Sequence, residues 1–202
     1  MTAKKTFLMI MASCLFVSAE AFAAAGDSTL SAGYAGIQTG KYLKDIGRSD
    51  RLAEGVNVKY RYEADDAWGV IGAVTYARGT PAFSVTGITD RGVGYGDATA
   101  RLEYLSLQAG PSYRFNEFFS AYVMAGVATT KYEGSAHLYG NDASGNAFSW
   151  YGKDSERKTN LAYSVGLQFN PLEELAVDVS FEGSGFDSWK TSGINAGLGW
   201  SF

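Results

Sequence analysis

The sequence contains few of the residues that most enzyme and metal sites are built from. It has one cysteine, one histidine and three prolines among 202 residues. It carries no nucleotide fingerprint, phosphate loop or metal-ligand spacing, so we expect no cofactor. The single histidine, His137, has no carboxylate partner that the sequence identifies, which argues against a hydrolase or a lipid-modifying enzyme. The formal net charge of −4 argues against general nucleic-acid binding, which requires a basic domain.

Long apolar runs are also missing, except at the N-terminus. A basic pair at Lys4 and Lys5 precedes an apolar stretch, which ends in small residues. This pattern is typical of an export signal and is shorter than the roughly 20 residues of a spanning helix. It predicts a signal peptide over residues 1–23, cut after Ala23 or Ala25, followed by one domain over residues 24–202.

The cysteine raises one alternative for this segment. Met11-Ala12-Ser13-Cys14 weakly resembles a lipoprotein cleavage site, but the apolar region continues beyond Cys14. Cleavage after Ala23 removes the only thiol, so we expect no disulfide in the mature chain.

What the sequence does have is apolar and polar residues in alternation. Val56, Val58 and Tyr60 alternate with polar residues, including Lys59 and Arg61. Side chains that alternate in this way point to opposite faces of a β-strand. Eight such segments predict strands near residues 30–35, 56–63, 68–77, 105–114, 119–127, 161–170, 177–182 and 194–202.

The links between these segments favour a transmembrane barrel over a soluble sandwich. Short turns are expected near residues 64–67, 116–118 and 170–174, and longer links over 39–53, 79–98, 133–158 and 183–190. This asymmetry is typical of outer-membrane barrels, which have tight periplasmic turns and long external loops. The predicted fold is therefore all-β: an eight-stranded antiparallel transmembrane β-barrel.

Charged residues on the polar faces of the strands are explained by the same fold. On a soluble sheet they would be solvated, whereas a closed eight-stranded barrel encloses them and requires them to pair. The sequence predicts an ion-pair network in the lumen, formed by Lys59, Arg61, Glu63, Arg114, Asp178 and Glu182. A filled lumen also argues against a large pore.

The last strand carries a spaced set of residues, Asn195, Gly197, Trp200 and Phe202. The set resembles the C-terminal signal that the barrel assembly machinery reads. We therefore expect that machinery as a partner.

Several longer stretches resemble one family, the Ail/Lom/OmpX group of enterobacterial outer-membrane proteins. They are Gly55–Glu63, Ala109–Arg114, Gly166–Glu173 and the closing strands to Phe202, and Arg157-Lys158-Thr159 resembles the virulence-related PagC, Ail and Rck members. The resemblance covers nearly the whole mature chain apart from the loops. It implies an outer-membrane location and external loops that mediate host-cell adhesion or invasion and resistance to complement. The alternative that it leaves open is an OmpX-like envelope-integrity barrel without a specific host ligand.

Two sets of loop residues are candidate contacts for ligands. The first set is cationic and is expected to bind lipopolysaccharide or sulfated host glycans; it comprises Lys131, Arg157 and Lys158. The alternative is that these cations are solvated and balance nearby Asp142, Asp154 and Glu156.

The second set is aromatic and suits recognition of host matrix or complement-regulatory proteins. It comprises Phe83, Tyr95, Tyr139, Phe148, Trp150 and Tyr151. Alternatively, the flanking strands extend beyond the membrane and these rings pack on each other. A closed sheet has no edge for pairing, so a monomer is the expected state.

Overall fold

A computed structural model of the chain shows a protein built from β-strands. It describes residues 26–39, 52–80, 82–89, 92–141, 146–185 and 190–202. The predicted signal peptide and its cleavage site lie outside these residues. The nine strands are β1 (Ser28–Thr39), β2 (Leu52–Glu63), β3 (Trp68–Gly79), β4 (Ala82–Thr89), β5 (Gly92–Arg114), β6 (Phe119–Asn141), β7 (Ala147–Leu172), β8 (Leu175–Ser184) and β9 (Thr191–Ser201).

Eight of the strands close into a ring, which confirms the predicted fold. All pairings are antiparallel. The eight strands other than β4 form the ring, in which β3 pairs with β5 and β1 pairs with β9 to close the sheet. At the β1–β9 seam Gly33 lies opposite Gly197, and a Cβ on Gly33 would be 2.3 Å from the Gly197 Cα. Glycine at both positions therefore allows the closing strands to approach.

The alternation of the sequence separates an outer and an inner face. Large apolar side chains point away from the ring axis and are exposed, as at Val70 (58%) and Leu161 (66%). Charged side chains one residue out of phase point inward, and Lys59 (3%) and Arg61 (2%) are buried. This is the arrangement of a barrel surrounded by hydrocarbon. No helix long and apolar enough to cross a membrane occurs in the described part of the chain.

The short turns lie where the sequence predicts them. β2 and β3 are separated by residues 64–67, β5 and β6 by residues 115–118, and β7 and β8 by residues 173–174. All three turns lie at one end of the ring, because each follows a strand (β2, β5 or β7) that runs in the same direction in the antiparallel ring.

The second and third predicted long links are largely strand, which corrects the expectation of loops there. Residues 82–89 form β4, which pairs with the outer part of β5, and β6 and β7 remain paired from Phe119↔Phe169 to Asn141↔Ala147. These segments form what we call the projecting sheet: β4, residues 92–101 of β5, 131–141 of β6 and 147–158 of β7.

The projecting sheet also qualifies the argument that no strand edge is available. The ring has none, but among the described residues β4 pairs only with β5, and residues 147–160 of β7 pair only with β6. Residues 40–51 of the first link and the tip at residues 142–145, which includes Asp142, lie outside the described residues.

Candidate functional site

The ring encloses two groups of oppositely charged residues. The Lys59 ammonium donates to the Asp178 carboxylate and to Ser180 Oγ at 3.0 Å. Nearer the short turns, Arg61 and Arg114 both donate to Glu63 Oε1. These charges can remain in the lumen because each has a partner of opposite sign.

Glu182 departs from the expected ion-pair network. It is buried, yet no cation among the described residues contacts it. Its carboxylate instead accepts hydrogen bonds from neutral donors on three strands, namely Thr75, Tyr104, Ser106, Gln108 and Asn195.

The outward face of the projecting sheet carries cations beyond the apolar band. Lys131 on β6 lies directly opposite Arg157 on β7, so the two side chains share a face. Arg157 is four residues beyond Leu161, the last large apolar outward residue of β7, or about 14 Å along the strand. The neighbouring positions in the same row are Glu103 and Arg78.

Ion pairs neutralise part of this face. Lys131 donates to Glu133 at 2.7 Å and is the main cause of the lowered pKa of that carboxyl, to which Lys153 and Arg101 contribute as nearby charges. Arg101 lies 3.5 Å from Glu133. Lys153 and Arg157 have no carboxylate within 4 Å among the residues described, so these two cations are available to an external anion.

Lys158 does not belong to this face, which corrects the grouping expected from the sequence. It lies opposite Thr130, whose buried side chain points inward, whereas Arg157 lies opposite Lys131. Asp154 and Glu156 are four and two residues from Lys158 on β7, so they point to the same side as Lys158. They therefore lie on the inner side of the sheet, away from Arg157. The two acids therefore do not neutralise Lys131 and Arg157 directly.

Sequence reasoning missed Lys153 and Arg101 as members of the cationic face. Lys153 is four residues from Arg157 on β7 and points to the same side. Arg101 on β5 lies opposite Glu133. The side to which each of these cations points can be predicted only when β5, β6 and β7 are known to continue as strands beyond the membrane.

The candidate aromatic residues divide between the two faces. Tyr95 lies opposite Tyr139, and both are exposed together with Tyr151 on the outward face. Phe148 is 7% exposed and lies on the inner face with the half-exposed Trp150. The predicted continuation of the strands is thus present, but the six rings do not form one cluster. The side chain of Phe83 lies outside the described residues, and its backbone pairs with Ala98 in β4–β5.

His137 also lies on the outward face of the projecting sheet. Its Nε2 is 2.8 Å from Ser149 Oγ, its backbone lies opposite Asp97, and its ring lies 6.2 Å from that of Tyr139. The imidazole is exposed, so water reaches it freely. It lies beside the neighbouring tyrosines on this exposed face.

The residues of the proposed assembly signal occupy the last strand in alternating directions. Asn195 points inward and donates to Glu182 at 2.9 Å, and Gly197 lies at the closing seam. Trp200 and Phe202 point outward and are more than half exposed. Recognition by the assembly machinery stays a prediction.

Comparison with known proteins identifies the family. The sequence model described as "Enterobacterial Ail/Lom protein" matches residues 3–202. The chain belongs to this family. It is 41% identical to the virulence membrane protein PagC of Salmonella typhimurium over 73% of this chain and 76% of that one. It is 35% identical to the attachment invasion locus protein of Yersinia enterocolitica over 98% and 99% of the two chains.

Relatives and solved structures agree on the location. Outer membrane protein X of Escherichia coli K12 is 33% identical over 88% of this chain and 87% of that one. The crystal structure of Yersinia pestis Ail in complex with the heparin analogue sucrose octasulfate superimposes with a TM-score of 0.62 at 32% identity, covering 88% of this chain and 99% of that one. The Ail/Lom protein described here is accordingly an outer-membrane β-barrel.

Proposed function

We propose that this Ail/Lom protein is a non-enzymatic surface adhesin whose projecting sheet binds sulfated polysaccharides on host cells. Attachment through that sheet supports invasion and resistance to complement. The observation that carries the proposal is a pair of exposed cations on the outward face beside Lys131, namely Lys153 and Arg157, which have no ion-pair partner in the part of the chain that the structure describes.

The electrostatics of the face support a polyanion as ligand. Lys153 and Arg157 are four residues apart on one strand, about 14 Å, so a single small anion does not bridge them. A polymer with repeated sulfates can contact both, and guanidinium and ammonium groups form charge-assisted hydrogen bonds with sulfate oxygens. The relative crystallised with sucrose octasulfate supports the same ligand chemistry.

Lipopolysaccharide offers related chemistry within the membrane itself. Its phosphates and carboxylates lie close to the outer edge of the apolar band, where Arg78 and Lys131 are found. These two cations already contact Glu103 and Glu133, at 3.9 Å and 2.7 Å respectively. Lys153 lies farther out and is therefore better placed for a host ligand than for lipid. Arg157 lies at the level of Lys131 but, among the described residues, has no carboxylate partner within 4 Å.

Charge removal on one face tests the proposal. The Lys153→Ala/Arg157→Ala variant should bind immobilised heparin about tenfold more weakly at low ionic strength, where screening is weakest, since two exposed charge contacts are lost. Attachment to cultured host cells should fall in parallel. The measurement is heparin affinity by surface plasmon resonance, with the barrel in detergent or nanodiscs.

Lys158→Ala is the matched control, because it removes one positive charge from the same strand on the opposite face. Its heparin affinity should stay close to that of the unmodified protein. Unchanged heparin binding by the double variant, or an equal loss in the control, would contradict the proposed site.

A further inference from the structure

Beside the cations, the outward face carries a group of exposed rings that the charge argument does not use. Tyr95, Tyr139 and Tyr151 are each more than half exposed. Tyr95 lies directly opposite Tyr139, and Tyr151 lies opposite His137, whose ring contacts Tyr139. We call these four residues the tyrosine platform.

The platform is continuous with the unpaired cations. Tyr151 and Lys153 are two residues apart on β7 and point to the same side, about 7 Å from each other. Arg157 follows on the same side, so the surface from Tyr151 to Arg157 extends over about 20 Å. A ligand that contacts the whole surface needs flat apolar faces for the tyrosines and anionic groups for the cations. These two features can lie at opposite ends of the ligand or repeat along it.

The distance of these exposed tyrosines from the membrane indicates what kind of ligand they contact. They lie ten or more residues along the strands from the apolar band that ends at Val127 and Leu161, too far out to anchor the barrel in lipid. The face of a tyrosine ring carries partial negative charge and attracts the polarised C–H groups on the face of a pyranose. Interfaces between proteins also favour tyrosine and arginine, but they are depleted of lysine at their centre, so Lys153 beside Tyr151 favours the sugar polymer.

Resting on the proposed function, we infer that the tyrosine platform stacks against the sugar rings of the sulfated polysaccharide whose anions contact Lys153 and Arg157. The platform distinguishes a sulfated sugar polymer from polyanions without rings. It also sets a minimum ligand length, because an oligosaccharide must extend over about 20 Å to contact both the platform and Arg157.

Two probes separate ring stacking from charge. The first is a heparin octasaccharide, and the second is inorganic polyphosphate, which is anionic but has no sugar ring. Tyr139→Ala/Tyr151→Ala should weaken octasaccharide binding about tenfold, from two lost ring contacts, and leave polyphosphate binding unchanged. Tyr139→Phe/Tyr151→Phe keeps both ring faces and should retain most of the affinity. Trp150→Ala removes a half-exposed ring from the opposite face of the same strand and should have no effect.

The outcomes distinguish this inference from the proposed function. If the Lys153→Ala/Arg157→Ala variant loses affinity for both probes while the alanine variant of the tyrosines loses none, the charge site stands and the platform has another role. If the tyrosine variant weakens both probes equally, the rings only support the sheet, and the inference is wrong. Host cells treated with heparinase lack the sulfated glycans. If the tyrosine variant attaches to these cells less well than the unmodified protein does, the platform binds a protein, which also overturns the inference.

Discussion

At the scale of single residues, the pairing of Lys59 with Asp178 shows what a narrow lumen requires. Both side chains are almost completely buried, and Asp178 also accepts a hydrogen bond from the Tyr122 hydroxyl at 2.8 Å. Removing one member of a buried pair leaves the other charge without a partner. Removing both members leaves no charge to stabilise.

Asp178→Ala should therefore lower the free energy of unfolding by about 3 kcal/mol or more. Lys59→Met/Asp178→Leu should recover much of that loss, because no unpaired charge remains. Urea unfolding in detergent, followed by tryptophan fluorescence, measures both. Glu173→Gln, in an exposed turn, is the control for a general effect of charge. Equal destabilisation in the single and double variants would show that packing, rather than the ion pair, is responsible.

For the strands of the barrel, the direction of each side chain could be predicted from the sequence, but the groups that it contacts could not. Lys59 and Glu182 point inward because of their phase in the strand. Which groups they contact depends on strands far apart in the chain that meet only when the ring closes, as Glu182 does with Thr75 and Tyr104. Lys158 and Arg157 are adjacent in the sequence, but neighbouring side chains in a strand point to opposite sides, so only the continuation of β7 separates them.

At the scale of elements, the strands within the membrane were predicted and the projecting sheet was not. Inside the ring, one face meets lipid and the other is enclosed, so the apolar and polar residues separate cleanly. Beyond the membrane neither face meets lipid, so apolar and polar residues no longer separate between the two faces, and exposed tyrosines share the outward face with cations. The segment around Gly92–Gly96 therefore resembles a flexible linker in sequence, although its register with β4 and β6 is regular.

Two short turns share one geometry and differ in charge. Asp65 Oδ1 accepts hydrogen bonds from the backbone N–H groups of Ala67 and Trp68 at 2.9 and 2.6 Å. Asn116 Oδ1 does the same for Phe118 and Phe119 at 2.9 and 2.8 Å. The Trp68 N–H, followed by that of Ala67, lowers the pKa of Asp65, because both donors favour the ionised carboxylate.

This difference predicts a pH dependence for one turn only. The stabilisation by ionised Asp65 is fully present above the unfolded pKa of about 3.9, and it is lost as the pH falls through the lower folded value. The difference in the free energy of unfolding between the unmodified protein and Asp65→Ala should therefore shrink in acid below about pH 4. The corresponding difference for Asn116→Ala should stay constant, and urea unfolding at several pH values measures both. A parallel decline for the two variants would mean that the donors do not act through the charge of Asp65.

At the scale of the whole molecule, the ring and the projecting sheet have separate requirements. The ring satisfies its backbone hydrogen bonds by closure, which a strand surrounded by lipid must do. The projecting sheet has no such constraint, so its outward face can carry Lys153, Arg157 and the tyrosines while its inner face carries Asp154 and Glu156. The folding of one part should therefore be largely independent of the other, and recognition should reside in the outer part.

Replacing residues 80–99 and 134–155 by short turns tests this division. The replacement removes β4, the tyrosine platform and Lys153, but leaves the β3–β5 and β6–β7 pairings of the ring. The barrel should still assemble in the outer membrane and keep the shifted electrophoretic mobility of an unheated, folded barrel. Host-cell attachment and survival in serum should fall to the level of a strain without the protein. A control that changes only Glu173 and Glu174 to serine, at the opposite end of the ring, should retain both activities. Full attachment and serum survival after the replacement would contradict the adhesin proposal and favour an envelope-integrity role, because the ring alone would then account for the phenotype.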